Sequence, residues 1–381
     1  MGAIFLKKFK LVEMRINLLW YGLSFFALAF SCGPRDLMNS AGQKGISDMQ
    51  DLFVAEEHPG VECFRIPALA TATNGDLIAA IDERVPGCAD LRGSRDINIV
   101  VRRSTDHGET WSDIETIVDF PDGQSASDPS MIVDEVTGDI FLFYNYMDLD
   151  KELNVYYLHV VKSEDHGKTW SEPVDITQQI TKPGWHDDFK FITSGTGMQT
   201  REGWLVHTLV NLDHGLHIFG SRDHGESWFL FDVPIEVGDE SKIVELSNGD
   251  WMINSRVNQG GKRYLHFSSD KGQSWQSREA PDLTDPGNNA GLVNYTLERD
   301  GQTRHLLLFS NTNDESDRRN LTIKYSEDGG QTWSSGKTIY AGSAAYSDMS
   351  VLENGHIGLF FERDDYTRNT FVKFSIDWLL E

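Results

Sequence analysis

Apolar and polar residues alternate in short runs along most of this chain, and no stretch keeps the spacing of a long amphipathic helix. Runs such as Ile97–Arg103, Val155–Val161 and Leu321–Tyr325 are rich in β-branched and aromatic residues, which favours β-strands. The segments between such runs are polar and rich in glycine, as turns are. The pattern therefore predicts an all-β fold of many short strands.

One eight-residue phrase, Ser-x-Asp-x-Gly-x-Thr/Ser-Trp, follows five of the predicted strands. Its copies are Ser104–Trp111, Ser163–Trp170, Ser221–Trp228, Ser268–Trp275 and Ser326–Trp333. A period of about 50 to 60 residues is typical of repeat architectures with one supersecondary unit per copy. Asp can accept hydrogen bonds from the backbone ahead of it, Gly permits a positive φ, and Trp can pack on the sheet. We expect each copy to be a structural turn between antiparallel strands, without a chemical role.

The repeats also predict the architecture. Each turn-linked pair of strands, together with two further strands, makes a four-stranded antiparallel blade, the unit of a β-propeller. Five copies, with strands at both ends of the chain that can close the ring, predict a six-bladed propeller. The 381 residues are enough for a large core, and no Pro, Gly or Ser linker divides them. We therefore predict one propeller domain over residues 51–381.

The N-terminus resembles a targeting segment. Basic residues precede the apolar run Leu18–Phe30, which has the length of a signal-peptide core and is too short to span a bilayer. We predict a signal peptide over residues 1–32, a tether over residues 33–50, and an exported protein that is periplasmic, on the cell surface or secreted. Cys32 ends the run as in bacterial lipoproteins, so membrane attachment through a lipidated Cys32 and a plain secretory signal both stay open.

Two cysteines remain in the predicted domain. Cys63 and Cys88 flank a predicted hairpin, so the two side chains could be close. Disulfides persist in the oxidising space that export implies. Spacing alone does not decide between a disulfide and two buried free thiols.

The formal net charge of −25 argues against a nucleic-acid partner and favours a soluble, self-repelling surface. An anionic substrate would need local basic groups to overcome this field. No Cys/His cluster has metal-ligand spacing, and no Gly-rich phosphate loop is present. We predict neither a metal nor a cofactor.

The phrase Phe64-Arg65-Ile66-Pro67-Ala68, placed ahead of the five repeats, resembles the start of the first blade in the sialidase superfamily. These proteins are the exo-α-sialidases, or neuraminidases, and the trans-sialidases. The resemblance extends over about residues 60–375. It implies a six-bladed propeller that acts as a glycoside hydrolase on terminal α-linked sialic acids.

The resemblance implies three arginines that bind the sialic acid carboxylate. Arg65 matches the first, and Arg256, in the phrase Asn-Ser-Arg, matches the second. The family form Arg-x-Asn-Leu/Met-Thr selects Arg318 rather than Arg319 as the third. Guanidinium groups suit this role because their planar forks match a carboxylate.

The resemblance also implies a tyrosine nucleophile. Tyr346, in the phrase Ala-Tyr-Ser-Asp, matches the family's catalytic tyrosine, and Glu240 is the candidate for its base. Sialidases use tyrosine where most glycosidases use a carboxylate. A neutral nucleophile avoids repulsion by the substrate's own carboxylate, but a phenol needs an adjacent base.

The candidate general acid/base is Asp90. It follows Arg84 by six residues, the spacing that trans-sialidases show between an arginine and their catalytic aspartate. Asp96 is the nearby competitor, but it leads directly into a predicted strand. By the same resemblance, we expect Arg84 to contact the O4 side of the sugar.

Two further acidic residues have family counterparts. Asp128, in Ser-Asp-Pro-Ser, matches a second contact on the O4 side, and an ordinary Asp-Pro turn is the open alternative. Glu362, in Phe-Phe-Glu-Arg, matches the glutamate that orients the first arginine, which would make a buried pair with Arg65.

The sequence thus predicts an exo-α-sialidase that releases sialic acid from glycoproteins, gangliosides and oligosaccharides, with retention through a sialyl-tyrosine. One alternative is a sialoglycan-binding propeller without turnover, although the presence of Asp90, Glu240 and Tyr346 argues against it. Another is an enzyme that transfers sialic acid to a second sugar or releases an anhydro product. The linkage preference is not decided by the sequence.

Overall fold

The computed structural model describes residues 44–381. The predicted signal peptide, Cys32 and most of the predicted tether lie outside the described residues. The described chain is all-β, as predicted, with twenty-five strands in five sheets. Its helices are α1 (Thr177–Ile180), α2 (Ile376–Leu380) and two short 3-10 turns, Ala55–Glu57 and Pro183–Trp185.

The first four sheets follow one another along the chain and are largely antiparallel. The first sheet holds β2 to β5, which are Cys63–Thr71, Leu77–Val85, Asp96–Ser104 and Glu115–Val118. The second holds β6 to β9, which are Gln124–Val133, Ile140–Asp148, Tyr157–Ser163 and Val174–Asp175, and also β11, Gly195–Thr196. The third holds β10 and β12 to β15, which are Lys190–Ile192, Met198–Gln199, Leu205–Asn211, Gly215–Ser221 and Phe229–Leu230. The fourth holds β16 to β19, which are Ser241–Glu245, Trp251–Ser255, Gly261–Ser268 and Gln276–Asp285.

The fifth sheet has seven strands and contains both ends of the described chain. Its strands β20 to β25 are Gly291–Arg299, Gln302–Thr312, Arg319–Ser326, Lys337–Val351, Ile357–Arg363 and Arg368–Phe374, and β1, Gln50–Val54, pairs with β25. The long strand β23 pairs with β22 through its first half and with β24 through its second half. The pairing therefore divides the chain into six groups of four or five strands, and their closure into a six-bladed ring stays a prediction.

The five repeated phrases form the predicted turns between antiparallel strands. In the first copy, Ser104 Oγ accepts a hydrogen bond from the Gly108 N–H at 2.9 Å, and Asp106 accepts one from the Thr110 N–H at 2.9 Å. Gly108 has φ +79°, which favours glycine. Trp111 packs against a buried apolar cluster. The same Ser-to-Gly bond recurs in the other four copies, so the structural interpretation is confirmed.

Apolar side chains of adjacent sheets pack face to face and form the core. Ile78 and Ala80 of β3, for example, share a buried cluster with Ile140 and Leu142 of β7. Within residues 44–381, no helix is long and apolar enough to cross a membrane.

Cys63 and Cys88 form a disulfide, with their Cα atoms 5.6 Å apart. Of the two alternatives that the sequence left open, the structure contains the bridge. It connects the start of β2 to the loop that follows β3.

Candidate active site

One open pocket of about 580 Å³ gathers most of the predicted site residues, and its size is within the usual range for small-molecule sites. Five of them, which are the three arginines, the tyrosine and its candidate base, stand on strands or directly beside strand ends, and we call these five the pocket floor. They are Arg65, Glu240, Arg256, Arg318 and Tyr346. Asp90 and Asp128 line the same pocket.

Three β-bulges direct strand residues into this pocket. The register shifts between Arg65 and Ala68 in β2, between Ser127 and Ser130 in β6, and between Ala344 and Ser347 in β23. Bulges are common beside active sites because the extra residue re-aims a side chain.

Two of these bulges contain a non-glycine residue with positive φ. Ile66 has φ +68° and Asp128 has φ +62°, a conformation that is rare for both and especially for a β-branched residue. Such strain persists only where the surrounding structure supports it, and it concentrates at functional sites.

Glu362 of β24 fixes both the first arginine and the tyrosine. One carboxylate oxygen accepts from Arg65 Nε at 2.7 Å and from the Ile66 N–H at 2.8 Å. The other accepts from the Tyr346 N–H at 3.0 Å. The Glu362 side chain is fully buried, so this ion pair lies in the interior as the resemblance implied.

The second arginine and the candidate base face each other at the end of one hairpin. Strands β16 and β17 pair Ser241 with Ser255, and Glu240 and Arg256 are the next residues outward. The Arg256 N–H donates to the Glu240 carbonyl at 2.9 Å, and the two side chains form an ion pair. Backbone pairing therefore sets the position of both groups.

Tyr346 is paired with Glu240. Its hydroxyl donates to Glu240 Oε2 at 2.7 Å and accepts from Arg256 Nη1 at 3.0 Å. Burial raises the pKa of Tyr346 well above its usual value, and the charge of Glu240 raises it further. The phenol is therefore neutral at ordinary pH, and Glu240 is placed to take its proton during attack.

Arg318 and its neighbour Arg319 point to different places. Arg318 lines the pocket, with its guanidinium 5.4 Å from the centre of the Tyr346 ring. The Arg319 side chain is 54% exposed and donates to Asp314 at 2.7 Å. The geometry agrees with the choice of Arg318 for the third arginine.

Asp90 lies on the loop between β3 and β4, residues 86–95, which we call the Asp90 loop. Its carboxylate is 85% exposed and accepts from Arg84 Nη1 at 2.8 Å. Desolvation by the surrounding protein raises the pKa of Asp90, but the charges of Arg84, Arg65 and Arg318 and the hydrogen bond from Arg84 together bring the pKa below its usual value. The competitor Asp96 begins β4 and does not line the pocket.

Arg84 differs from the expectation of a direct sugar contact. Its side chain is only 1% exposed and is absent from the pocket lining. It pairs with Asp82 at 2.9 Å on one side and with Asp90 on the other, because the alternation of β3 turns it inward. This position suits a residue that orients Asp90.

Asp128 is half-buried at the side of the pocket. Its N–H donates to Asp82 Oδ1 at 2.9 Å, and its carboxylate accepts from Asn145 at 3.0 Å. Burial raises the pKa of Asp128 to about 6, although Arg84 opposes the shift.

Sequence reasoning missed two residues that support the site. Tyr366 lies 4.0 Å below the Arg65 guanidinium, measured to the ring centre, and its hydroxyl accepts from Arg318 Nη1 at 3.1 Å. It belongs to a tight turn between β24 and β25 that no repeat or motif marks. Asp82 pairs with Arg84 and accepts from the Asp128 N–H. Nothing in the sequence distinguishes it from an ordinary strand residue.

One wall of the pocket is apolar. It consists of Leu91, Tyr156, Phe189, Phe191 and Leu212. A pocket with an apolar wall and a few convergent polar groups is the usual form of a ligand site.

Two further buried charged residues, Lys242 and Asp348, lie two residues after Glu240 and Tyr346 in the chain. Lys242 Nζ donates to Asn289 Oδ1 at 2.8 Å, and the Asp348 carboxylate accepts from the Leu69 N–H at 3.0 Å. Gly195 lies between the two charges, since a Cβ there would be 2.7 Å from Lys242 Cε. These contacts connect strands of different sheets and support the pocket floor.

The described chain is thus an all-β repeat protein whose pocket combines a buried tyrosine–carboxylate pair with three arginines. Residues 75–359 match the family model of the BNR repeat-like domain. The chain belongs to the sialidase superfamily.

A curated sialidase of Micromonospora viridifaciens is 36% identical over 361 residues, which cover 87% of this chain and 54% of that protein. The chain thus spans about half the length of this relative. The solved structure of the Hadza microbial sialidase Hz136 is 29% identical with a TM-score of 0.77, over 85% of this chain and 67% of that one. The intramolecular trans-sialidase from Ruminococcus gnavus is 20% identical with a TM-score of 0.74, over 86% and 98%, which shows the fold alone.

Proposed function

We propose that this protein is an exo-α-sialidase that hydrolyses terminal α-linked sialic acids with retention, on a six-bladed propeller. The observation that carries the proposal is the hydrogen bond from Tyr346 to Glu240 inside a pocket lined by Arg65, Arg256 and Arg318. A neutral nucleophile with its own base, beside three cations, suits a substrate whose reacting carbon carries a carboxylate.

The arginines have N–H donors that are not used within the described part of the chain and can bind the substrate carboxylate. Arg65 uses only Nε for Glu362, and within residues 44–381 its two Nη atoms make no hydrogen bond. Arg256 likewise uses Nη1 for Glu240 and Tyr346. Bidentate, charge-assisted hydrogen bonds would hold the substrate in one orientation.

In the first step, Tyr346 Oη attacks the anomeric carbon and passes its proton to Glu240. The bond to the leaving oxygen breaks as Asp90 protonates that oxygen, which yields a sialyl-tyrosine. In the second step, Asp90 takes a proton from water, and the water attacks the same carbon. Tyr346 leaves and regains its proton from Glu240. Two inversions give net retention.

Asp90 must be protonated to act as the acid, yet the arginines around it hold its pKa below the usual value. A bound substrate would cover the exposed carboxylate and place a second anion among the arginines. Both effects favour the neutral acid and raise the pKa. We expect the bound complex to be the state in which Asp90 is protonated.

The substrates we propose are sialylated glycoproteins, gangliosides and oligosaccharides, and the proposed location is outside the cytoplasm. Two observations support export: the apolar run Leu18–Phe30 behind basic residues, and the Cys63–Cys88 disulfide, which suits an oxidising space. Membrane attachment would require a lipidated Cys32.

The test is incubation with α2,3- and α2,6-sialyllactose and an α2,8-linked disialoside, followed by identification of the products by NMR. The proposal expects free sialic acid that appears first as the α-anomer, with Tyr346→Phe inactive as the control. Binding without any product from all three would favour the sialoglycan-binding alternative. A transferred or anhydro sialic acid would favour the trans-sialidase alternative.

A further inference from the structure

The two halves of the Asp90 loop differ in how they are packed against the rest of the protein. In its first half, Pro86 and Ala89 are exposed and Gly87 is half-buried, so no apolar side chain of this half packs into a core. In its second half, Leu91 is buried in an apolar cluster. The first half therefore needs another anchor.

The Cys63–Cys88 disulfide provides that anchor. Cys63 begins β2 and lies two residues before Arg65, so both side chains leave the strand on the same side. Cys88 lies two residues before Asp90. The bridge thus connects the strand of the first arginine directly to the segment that carries the acid.

Arg84 acts from the opposite strand. It faces Cys63 in the ladder between β2 and β3, and it donates to the Cys88 carbonyl at 3.2 Å and to Asp90 at 2.8 Å. Both bonds require the backbone at Cys88 to stay close to the end of β3, where the disulfide to β2 also holds it. An ion pair to so exposed a carboxylate is too weak to hold a loop by itself.

We infer that the disulfide positions Asp90 to protonate the leaving group, and that cleavage of natural sialosides therefore depends on its oxidation. The inference rests on the proposed sialidase function. Tyr346 and Glu240 are fixed by β23 and β16 and do not contact the disulfide. Opening it should slow the attack of Tyr346 on natural sialosides, whose leaving oxygen needs the proton, and leave the attack on substrates with good leaving groups nearly unchanged. The protein would gain full activity only in an oxidising space.

The opening reaction is simple to perform, because Cys88 is only partly buried. Dithiothreitol supplies two electrons and two protons from its two thiols. The protein S–S bond breaks to give two thiols, and the reagent closes to its own cyclic disulfide.

The experiment compares oxidised protein, protein reduced with dithiothreitol, and Cys63→Ser/Cys88→Ser. Each is assayed with a sialyllactose isomer that the oxidised protein cleaves and with 4-nitrophenyl α-sialoside, whose leaving group needs little protonation. For sialyllactose we expect kcat/KM to fall about tenfold or more, up to the roughly 10²–10⁴-fold that general acid catalysis supplies. For the aryl substrate we expect less than about a threefold change in kcat/KM, which reports formation of the sialyl-enzyme and not its hydrolysis. Asp90→Asn should not respond to dithiothreitol with either substrate.

Equal losses on both substrates, or no loss on either, would overturn the inference. Hydrogen exchange gives a second readout that does not depend on activity. Amides of residues 87–91 should exchange faster after reduction, while those of β2 stay protected, and an unchanged loop would also overturn it. If the oxidised protein cleaves neither substrate, the proposed function has failed instead, and hydrogen exchange still decides whether the disulfide holds the loop.

Discussion

The pocket floor and the Asp90 loop face the same cavity but are built in different ways. The floor side chains stand on strands or strand ends, and buried carboxylates such as Glu362 hold them from behind. The Asp90 carboxylate is 85% exposed on a loop whose first half is held by one disulfide and by Arg84. The floor is thus preorganised, whereas the acid has room to adjust.

This difference fits the two kinds of work that we propose. Charge on the reacting sugar develops at a fixed place, and fixed groups stabilise it without reorganisation. The leaving group varies from one glycan to another, and the acid must give its proton to the leaving oxygen and then take one from the attacking water. An exposed carboxylate on a tethered loop suits the second task.

The largest expected effects come from substitution of one proposed catalytic side chain in the pocket floor and one in the Asp90 loop. Tyr346→Phe should lower kcat at least about 10³-fold for every substrate, because no nucleophile remains. Asp90→Ala should lower kcat/KM about 10²–10⁴-fold for sialyllactose and far less for aryl sialosides, because kcat/KM reports the first step. Steady-state kinetics with both substrates measures this, and the same pattern for the two variants would contradict separate roles.

A second test concerns the floor alone and uses two adjacent arginines. Arg318→Leu should lower kcat/KM about tenfold to a hundredfold, since a charged hydrogen bond contributes roughly 1.5–3 kcal/mol. Arg319→Leu, the matched control, should change it less than about twofold, because Arg319 faces solvent and Asp314. Equal effects would show that the third arginine is wrongly assigned.

The sequence predicted those features that depend on local chemistry. The five turns follow from Ser, Asp and Gly at fixed offsets. Arg65, Arg256 and Tyr346 stand in short sequence motifs that can be recognised without knowledge of the fold. The order of the strands along the chain followed from the same signals. The predicted strand over Val155–Val161 begins two residues later, as β8, because the turn before it extends further.

The remaining features depend on contacts between distant segments. Tyr366 reaches the site only because the β24–β25 turn folds over Arg65. The spacing from Arg84 to Asp90 indicated that the two belong together, but it could not show that Arg84 points into the interior. Prediction of the disulfide likewise required the relative direction of the Cys63 and Cys88 side chains, which cannot be derived from their spacing in the sequence.

A third test uses the pH dependence of stability at the side of the pocket. Asp128 has a folded pKa of about 6, above its ordinary value near 4, so the folded protein binds more protons in between. Stability should therefore fall as pH rises from about 4 to 6. Asp128→Asn should reduce this fall by about 2 kcal/mol. Urea denaturation at several pH values measures it, and an unchanged slope would contradict the burial of a titrating Asp128.

The smallest effect concerns a turn far from the chemistry. Asp106 has its pKa lowered to about 2 by hydrogen bonds from Thr110, so its contribution to stability is present above about pH 4 and is lost towards pH 2. Asp106→Ala should cost about 1 kcal/mol at pH 7 and little at pH 2. Thermal unfolding measures the cost. Kinetics at pH 7 should match the unchanged protein, and a large loss of kcat would contradict the structural role.

The most direct test of the account is to trap the covalent intermediate with a 3-fluorosialyl fluoride and to map the labelled peptide by mass spectrometry. The fluorine at C3 slows hydrolysis of the sialyl-enzyme, so the label should persist. We predict a single label on Tyr346 and none in Tyr346→Phe. A label on Glu240 or Asp90 with Tyr346 unmodified would contradict the central claim, even if the protein releases sialic acid.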